Sequence, residues 1–466
     1  MFATADVVVR DANPSSLLID FNRFVTAAQP SLEMKPATSG AIAGTTDDLP
    51  DVFSGGLPRT FVVGILVALL PLFGQTFHYI TALYPLWALS KAFPILTLPL
   101  VLRLGSQPRF PITRQVLLSF AWLVLVPSFA AVIYFHEGFF TSVTAQVKLL
   151  PILYFFSFLA LLLMLKPTLH ELGRSFLILG VVIVGALILM WLLVPASWYK
   201  ETYVFGQAPF FTNDSRGHRI RMSMYFPFIL LFFCYRRAFF ERNVGYLISV
   251  LIGLAVALLI VKSRALAIGI MGVLVINTFV WARPRARIGL MLVAPIVLVG
   301  VFSMGYLATI FSANAETGFD TRRISALLAT RFLGNDSLRW LFGVGTISPA
   351  SGDTLTTYFH HFFFLADITW LGIVFEYGLI GAFVILCFQL RGLFFYRRLR
   401  AEVEDDFLGA LYDYLVFVLL VSFFYPPTLA PGETAVILAI FVYVWRVGGF
   451  DRRAVPRSLH ARVAAP

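Results

Sequence analysis

The chain has 466 residues, of which 59% are hydrophobic and only 13% are charged. Soluble globular domains carry about 25% charged residues, so this composition excludes an ordinary soluble protein. The net charge of +11 comes mostly from short basic segments between apolar stretches, and nucleic-acid binding is not needed to explain it. Both cysteines, Cys234 and Cys387, lie in apolar stretches, which excludes a disulfide framework or a zinc motif.

The first 58 residues are polar and mixed. They lack the apolar core of a cleavable signal peptide, so we expect a disordered cytoplasmic tail. Residues 59–446 then carry twelve apolar stretches, most of about 18 residues or more, the length that crosses a ~30 Å hydrocarbon layer as a helix. Because lipid offers the backbone no hydrogen-bond partners, they predict an all-α, polytopic membrane bundle of about 12 transmembrane helices. The predicted spans are 60–77, 80–103, 115–135, 147–165, 175–195, 222–240, 244–261, 265–282, 288–310, 370–390, 408–426 and 434–446.

The basic residues indicate the orientation of these spans. With both termini in the cytoplasm, 24 of the 36 lysines and arginines fall on the inner side and ten on the outer side, while Lys91 and Lys148 lie within spans. This asymmetry follows the positive-inside rule and predicts a basic cytoplasmic C-terminal tail, residues 447–466. Two connections on the outer, periplasmic side are long, residues 196–221 and 312–369, and long loops are more often functional than idle. We expect both to lie over the bundle as lids.

The first long loop ends in a basic segment, with Arg216, Arg219 and Arg221 directly before the sixth span. Arginine presents a planar fork that holds phosphate oxygens at two points. Three arginines on the side that generally avoids them therefore predict a phosphate-binding site. In the alternative reading, they pair with Asp214 or with lipid headgroups and only anchor the helix.

A second basic segment, Lys262-Ser263-Arg264, forms the whole turn between spans seven and eight. Ser263 is predicted to cap span eight, so Arg264 stands in its first turn, where a cation opposes the helix dipole. An anion shared between Arg264 and the exposed N–H groups would offset that cost, since helix N-termini bind anions readily. In the alternative, both basic side chains extend to the membrane interface without a ligand.

The third group lies at the end of the second long loop and in span ten. His360, His361 and Asp367 precede the span, and Glu376 lies within it. Ionisable groups in or near a membrane are expensive, so they are functional candidates. On one continuous helix Asp367 and Glu376 would point about 180° apart, which argues against a paired-carboxylate site. The two histidines also fit ordinary interfacial positions. Upstream, residues 321–333 have the spacing of an amphipathic helix on the outer surface.

Three short motifs follow one another between residues 200 and 390. Residues 261–267 read Val-Lys-Ser-Arg-Ala-Leu-Ala, and Gly343 and Gly345 form a Gly-x-Gly motif in the second long loop. Asp367 leads a helix that continues as Glu-Tyr-Gly-Leu-Ile-Gly from Glu376. In this order the motifs resemble the O-antigen polymerase and ligase superfamily (Wzy-type) of bacterial surface-polysaccharide synthesis. The chain departs from that pattern at Asp367, where the ligases carry a histidine, and this favours a polymerase.

The resemblance implies a glycosyltransferase C-like fold in the bacterial inner membrane and a metal-independent glycosyl transfer, without a cofactor, at the periplasmic face. The implied donor is a growing glycan on a polyprenyl pyrophosphate. The implied acceptor is a sugar hydroxyl of the next lipid-linked repeat of an exopolysaccharide or O-antigen. Chain-length regulator and export proteins are the implied partners besides the lipid bilayer.

The same resemblance suggests roles for the candidate residues. Cations would stabilise the charge that develops on the leaving pyrophosphate. They are Arg216, Arg219, Arg221 and Arg264. A general base would take the proton of the acceptor hydroxyl. The candidates are Asp367, His360 and His361.

Three other functions stay open at this point. A ligase of the same superfamily would move finished glycan onto lipid A core or protein. A flippase or transporter of lipid-linked sugars would place charges along a path through several spans and would break helices at mid-membrane. Here Lys91, Lys148 and Glu376 are the charges within spans, while the arginine clusters lie at the outer edge, which favours an enzyme. A membrane scaffold without catalysis has no positive signal.

Overall fold

The chain is described from a computed structural model. It covers residues 59–80, 83–105, 110, 112–201, 209–214, 217–281, 314–348, 351–361, 363–424 and 431–447. The predicted N-terminal tail, the ninth predicted span and residues 448–466 of the predicted C-terminal tail lie outside these ranges. Within the described ranges the fold is mostly helical, as predicted.

The first part of the chain forms seven labelled helices. They are α1 (Arg59–Phe73), α2 (Tyr84–Leu96), α3 (Leu98–Gly105), α4 (Thr113–Phe135), α5 (Phe139–Ala145), α6 (Tyr154–Leu165) and α7 (Leu169–Leu193). A 3-10 segment, Gln146–Leu153, joins α5 to α6. Thr168 fixes the start of α7, because its hydroxyl accepts the Glu171 N–H at 3.2 Å and the Glu171 carboxylate accepts the Thr168 N–H at 2.8 Å.

A small sheet precedes the next group of helices. Strand β1 (Lys200–Glu201) pairs in parallel with β2 (Phe211–Asp214), and β2 pairs antiparallel with β3 (Gly217–Ile220). The sheet lies in the predicted loop 196–221, so the all-α prediction needs this addition. The following helices are α8 (Tyr225–Glu241), α9 (Val244–Ala255), a π-helical turn (Val256–Val261) and α10 (Arg264–Trp281).

The last part of the chain contains the helices of the predicted second long loop, most of them short, and then three helices that coincide with predicted spans. The first group falls within residues 312–369, a range predicted as a loop. They are α11 (Asn314–Leu333), α12 (Ser337–Phe342), α13 (Leu355–Phe359) and a 3-10 helix (Leu365–Ile368). The other three are α14 (Thr369–Arg400), which is broken at Gly378, α15 (Asp406–Val421) and α16 (Pro431–Val447).

Six helical segments among the described residues are long and apolar enough to cross a membrane. They are residues 84–104, 113–135, 139–165, 169–193, 244–261 and 369–400. Two shorter apolar helices, Arg59–Phe73 and Ala265–Trp281, coincide with further predicted spans. This is the architecture expected of a helical protein associated with a bilayer. Helices α8, α15 and α16 coincide with predicted spans six, eleven and twelve, and the total of twelve spans stays a prediction.

Helices α16 and α6 form the centre of the main core. Every side chain from Ala435 to Val442 is fully enclosed, so α16 offers no face to lipid over two turns. α6 packs against it and buries Phe155, Phe156 and Phe158. A helix that is apolar all round has to be buried or to face lipid, and α16 is the buried kind.

A second, smaller core lies among the segments of the long loop. Its buried members are Ala329, Leu333, Val344, Ile347, Leu355, Phe363, Ile368 and Phe375. We call the segments that build it the loop unit, residues 323–348, 355–361 and 363–377. Helix α11 turns Ser325, Ala329 and Leu333 inward, while Ile324 and Leu327 are exposed. The helix predicted for residues 321–333 is therefore present, and its packed face combines the small residues Ser325 and Ala329 with Leu328 and Phe332 of the apolar stripe.

An ion pair ties α8, α10 and α15 together. Arg236 donates to Asp413 at 3.0 Å, both side chains are buried, and the guanidinium lies 4.8 Å from the centre of the Trp281 ring. Gly409 leaves the space that the guanidinium occupies. Arg236 is one of the 24 basic residues counted on the inner side. In the structure it lies within α8, and its side chain is part of the core.

Candidate functional site

Strands β2 and β3 form the basic hairpin (residues 211–214 and 217–221), whose described residues include two of the predicted arginines. Arg219 lies in β3, and Arg221 is the first residue after this strand. The Arg221 N–H donates to the Phe210 carbonyl at 2.9 Å. Side chains two residues apart on a strand point to the same face, so Arg219 and Arg221 share one face. Arg219 is 6% exposed and Arg221 is half-buried, and both interact with other parts of the protein.

The basic hairpin packs against the π-helical turn Val256–Val261, and the second basic segment directly follows this turn. The π-helical turn ends at Val261, Lys262 adopts a left-handed conformation with φ 50°, and α10 begins two residues later. A β-carbon built on Gly217 would lie 3.5 Å from the Lys262 Nζ atom, so this ammonium group borders the start of β3. The fold therefore brings together two basic segments that are far apart in the sequence.

The turn itself has the predicted backbone. Arg264 is the first residue of α10, and the buried Ser263 accepts the Ala267 N–H at its carbonyl at 3.0 Å. The Arg264 side chain and the whole of Arg216 lie outside the part of the chain that the structure describes. Of the four arginines predicted to bind pyrophosphate, Arg219 and Arg221 are thus the two that the structure places beside the turn.

Aromatic side chains lie on the other face of the small sheet. His218 alternates with Arg219 on β3 and is exposed, and the Tyr199 ring stacks on it with 4.5 Å between ring centres. Trp198 meets Phe211 edge to face. Burial raises the pKa of the Tyr199 phenol. The sheet thus separates a basic face from an aromatic one.

The Gly-x-Gly motif docks onto the break in α14. Gly378 has φ 70° and ψ 177°, so the helix hydrogen bonds stop there. The freed carbonyls of Phe375 and Glu376 accept the N–H groups of Val344 at 2.8 Å and Gly345 at 3.1 Å. A β-carbon on Gly343 would lie 2.5 Å from the Gly378 nitrogen, so the two chains approach at a distance that only glycine allows. Two motifs recognised separately in the sequence are therefore one structural feature.

Glu376 lies beside this break in a network of polar side chains. Both its carboxylate oxygens are 2.7 Å from the Lys148 ammonium, and the Gln146 amide donates to one of them at 3.1 Å. The Tyr377 hydroxyl donates to the Gln146 carbonyl oxygen at 2.9 Å. Lys148 and Glu376 are both predicted to be charges within spans, but the ion pair between them is not predicted.

The three candidate bases lie on the loop unit. His360 and His361 are exposed at the end of α13, where His360 has φ 54°. Asp367 lies in the 3-10 helix Leu365–Ile368, and its side chain is outside what the structure describes. Thr369, with φ 43° and ψ −112°, separates that 3-10 helix from α14. Asp367 and Glu376 therefore do not stand on one continuous helix, and the angle predicted between them does not apply.

The sequence reasoning missed one buried carboxylate, that of Glu433. It lies in the first turn of α16, is 7% exposed, and accepts the Tyr414 hydroxyl. Ser223, two residues after Arg221, donates to the same carboxylate at 3.5 Å. An acidic residue directly after a Pro-Gly pair at the start of a predicted span was the available signal. Glu433 thus joins the central helix to the chain that leaves the basic hairpin.

The basic hairpin with Lys262 can hold an anion, and the candidate bases on the loop unit can accept a proton. Among the described residues, no group of three or more His, Cys, Asp or Glu side chains is placed to hold a metal ion. The cations Arg219, Arg221 and Lys262 suit a phosphate or carboxylate ligand. No protein-family model matches this chain, and no curated protein matches it in sequence.

Proposed function

We propose that this chain is a membrane glycosyltransferase that polymerises lipid-linked oligosaccharide repeat units of an exopolysaccharide or O-antigen. The observation that carries the proposal is the contact between the basic hairpin, with Arg219 and Arg221, and Lys262. Two basic segments thus lie side by side next to apolar helices, which suits an anion that is attached to a lipid. A polyprenyl pyrophosphate has this combination of an anionic head and an apolar chain.

The proposed reaction moves the growing glycan from its pyrophosphate to a sugar hydroxyl of the next repeat. The bond between the anomeric carbon and the pyrophosphate oxygen breaks, and its electron pair leaves with the pyrophosphate. The acceptor oxygen forms the new glycosidic bond, and its proton passes to Asp367, His360 or His361. The cations of the basic hairpin stabilise the leaving group because they are held in place before charge develops on it.

In this proposal the protein lies in the bacterial inner membrane with both termini in the cytoplasm. The positive-inside distribution of lysine and arginine supports this orientation and puts the basic hairpin in the periplasm. Arg264, the first residue of α10, and Arg216, which lies between β2 and β3 in the sequence, bind the same pyrophosphate. Chain-length regulator and export proteins are the expected partners.

The test uses purified protein in detergent, which has no compartments, with radiolabelled lipid-linked repeats. Polymer is expected from the wild type, whereas Arg219→Ala and Arg264→Ala abolish it. Each variant also binds inorganic pyrophosphate at least about tenfold more weakly in calorimetry, because a hydrogen bond to a charged group contributes about 1.5–3 kcal/mol. Lys200→Ala is the matched control, since Lys200 is an exposed cation of the same sheet. Normal polymer from Arg219→Ala, or an equal loss in Lys200→Ala, contradicts the proposal.

The base is identified by separate variants. Asp367→Asn, His360→Ala and His361→Ala are assayed at saturating donor, and the variant of the base loses turnover while it still binds pyrophosphate. In cells, deletion of a polymerase leaves only single repeats, whereas deletion of a ligase leaves long chains on their lipid carrier. The glycan pattern of the deletion strain therefore separates these two members of the superfamily.

A second candidate function is favoured by one observation. The break of α14 at Gly378, with the enclosed Glu376 and its partner Lys148 beside it, is a feature of transporters, which build substrate sites from interrupted helices. A flippase of lipid-linked sugars would move its substrate between leaflets without joining repeats. Turnover in detergent decides between the two, because only the enzyme makes a product there.

A further inference from the structure

We propose that Lys148 and Glu376 form a positioning pair: their ion pair holds the loop unit, and with it the candidate bases, in a fixed place against the bundle. Its effect on turnover rests on the proposed function. Its effect on the position of the loop unit does not, and the two are measured separately below.

The pair is strong because Glu376 is enclosed. Its side chain is 5% exposed, and both oxygens lie 2.7 Å from the Lys148 ammonium. The Lys148 side chain is 38% exposed, so the buried charge of the pair is the Glu376 carboxylate. An unpaired carboxylate in such surroundings is strongly unfavourable, and removal of Lys148 alone is therefore more damaging than removal of both charges. The Gln146 amide, 3.1 Å from the same carboxylate, adds a second contact from the same segment. Glu376 therefore keeps its place through Lys148.

The pair joins the centre of the bundle to a point where α14 cannot transmit position by itself. Lys148 belongs to the 3-10 segment Gln146–Leu153, which packs against the central helix α16. Glu376 lies two residues before Gly378, where the α-helical hydrogen bonds are interrupted. A helix keeps its two halves in register through those bonds. Across the Gly378 break the side-chain pair takes over that task.

The loop unit is attached at this same turn. The Glu376 carbonyl accepts the Gly345 N–H, and the Phe375 carbonyl accepts the Val344 N–H. Val344 and Phe375 are both buried in the second core, together with residues on either side of His361 and Asp367. A displacement of Glu376 therefore moves residues 343–345, then the second core, and then the candidate bases.

Positions of the loop unit are measured first, in nanodiscs and without substrate. Spin labels go on Thr357→Cys in α13 and Lys200→Cys in β1, both exposed positions, in a Cys387→Ser background that leaves the buried Cys234. The pairwise distance distribution is expected to be narrow in the wild type and clearly broader in Lys148→Met. Lys91→Met is the control, because it removes another lysine from an apolar helix. An unchanged distribution in folded Lys148→Met overturns the proposal.

Turnover is measured second. In Lys148→Met, kcat is expected to fall at least about tenfold because reacting groups are misplaced. KM for the donor and the pyrophosphate affinity stay within about twofold, because the basic hairpin is untouched. The double variant Lys148→Met/Glu376→Gln recovers part of the rate, since it leaves no lone buried charge. A merely structural role would lower folded yield, binding and rate together, and that result also overturns the proposal.

Two outcomes are kept apart by this design. If no variant and no wild-type protein joins repeats, the proposed function fails, and the distance measurement still decides the positioning role. If Lys148→Met does not fold, Tyr377→Phe replaces it, because it removes only the hydroxyl that donates to Gln146. A smaller broadening in the same direction is then expected, and none would refute the role.

Discussion

Gly378→Ala is expected to undock the loop unit from the bundle. The residue has φ 70° and ψ 177°, a region that is essentially open to glycine alone, so alanine there costs about 1–3 kcal/mol of strain. Its new β-carbon would also collide with the Leu341 carbonyl and with the Gly343 nitrogen. Those atoms belong to the backbone and cannot rotate away, and overpacking adds about 1–3 kcal/mol. The total of about 2–6 kcal/mol raises the undocked population at least about 30-fold, since 1.4 kcal/mol is tenfold.

Limited trypsin cleavage after the exposed Arg331 of α11 measures this population, because cleavage follows the open state when opening is fast. Two glycines provide matched controls. Gly64 lies in α1 with open space around it, so Gly64→Ala leaves the cleavage rate unchanged. Gly352 has φ 83° and also open space, so Gly352→Ala adds strain without collision and gives a smaller increase. Equal rates for Gly378→Ala and Gly64→Ala would refute the reasoning.

Two further predictions concern stability on the predicted cytoplasmic side, each followed by thermal unfolding in detergent. Asp413→Asn leaves the buried Arg236 without its carboxylate and is expected to lower the free energy of unfolding by about 3–5 kcal/mol. The double variant Arg236→Met/Asp413→Leu leaves no buried charge, so its stability is expected to be close to that of the wild type. Equal melting temperatures for the single and double variants would contradict this prediction. Burial raises the pKa of Asp405, the N-cap of α15. A carboxyl whose pKa is raised on folding stabilises most below its unfolded pKa, so the wild type should lose stability relative to Asp405→Asn as the pH rises above 3.8. A pH-independent difference would exclude that coupling.

The helical part of the fold could be predicted because it depends on local composition. Apolar runs end where charged residues interrupt them, and Lys262 to Arg264 interrupt one run so sharply that the helix ends at Val261 and the next begins at Arg264. The same rule fails for central helices. Helix α16 is recognised as a span, yet its burial on all sides cannot be predicted from an apolar run. A lipid environment and a protein interior both favour apolar side chains, so the composition does not distinguish them.

Pairings between distant segments could not be predicted. Lys148 and Glu376 are each recognisable as unusual charges in apolar stretches, but 228 positions separate them, and any of several ions could be the partner. The hairpin was missed for a different reason. Its strands have four residues each, too short for the alternation of apolar and polar residues that identifies a strand.

The amphipathic helix shows how small residues mislead a reading of apolar stripes. Ile324 and Leu327 belong to the apolar pattern of α11, yet they are exposed, and Ser325 and Ala329 are fully buried. Close approach of the helix to the second core favours small side chains over large ones. Leu328 and Phe332 of the same pattern do pack against the second core, so the apolar stripe predicts the position of the helix and only part of its packed face.

The spacing of the Gly-x-Gly motif follows from what a broken helix in a bilayer requires. Irregular backbone at membrane depth is tolerated only where protein satisfies its polar groups, and the carbonyls of Phe375 and Glu376 are freed by the break. The N–H groups of Val344 and Gly345 bind these two carbonyls. To reach them, the backbone of Gly343 lies against Gly378 and that of Gly345 lies against α4, and neither glycine has room for a β-carbon. Val344 lies between them and buries its side chain in the second core. The loop is therefore part of the packing around α14: without residues 343–345, the carbonyls of Phe375 and Glu376 would lose these two backbone donors.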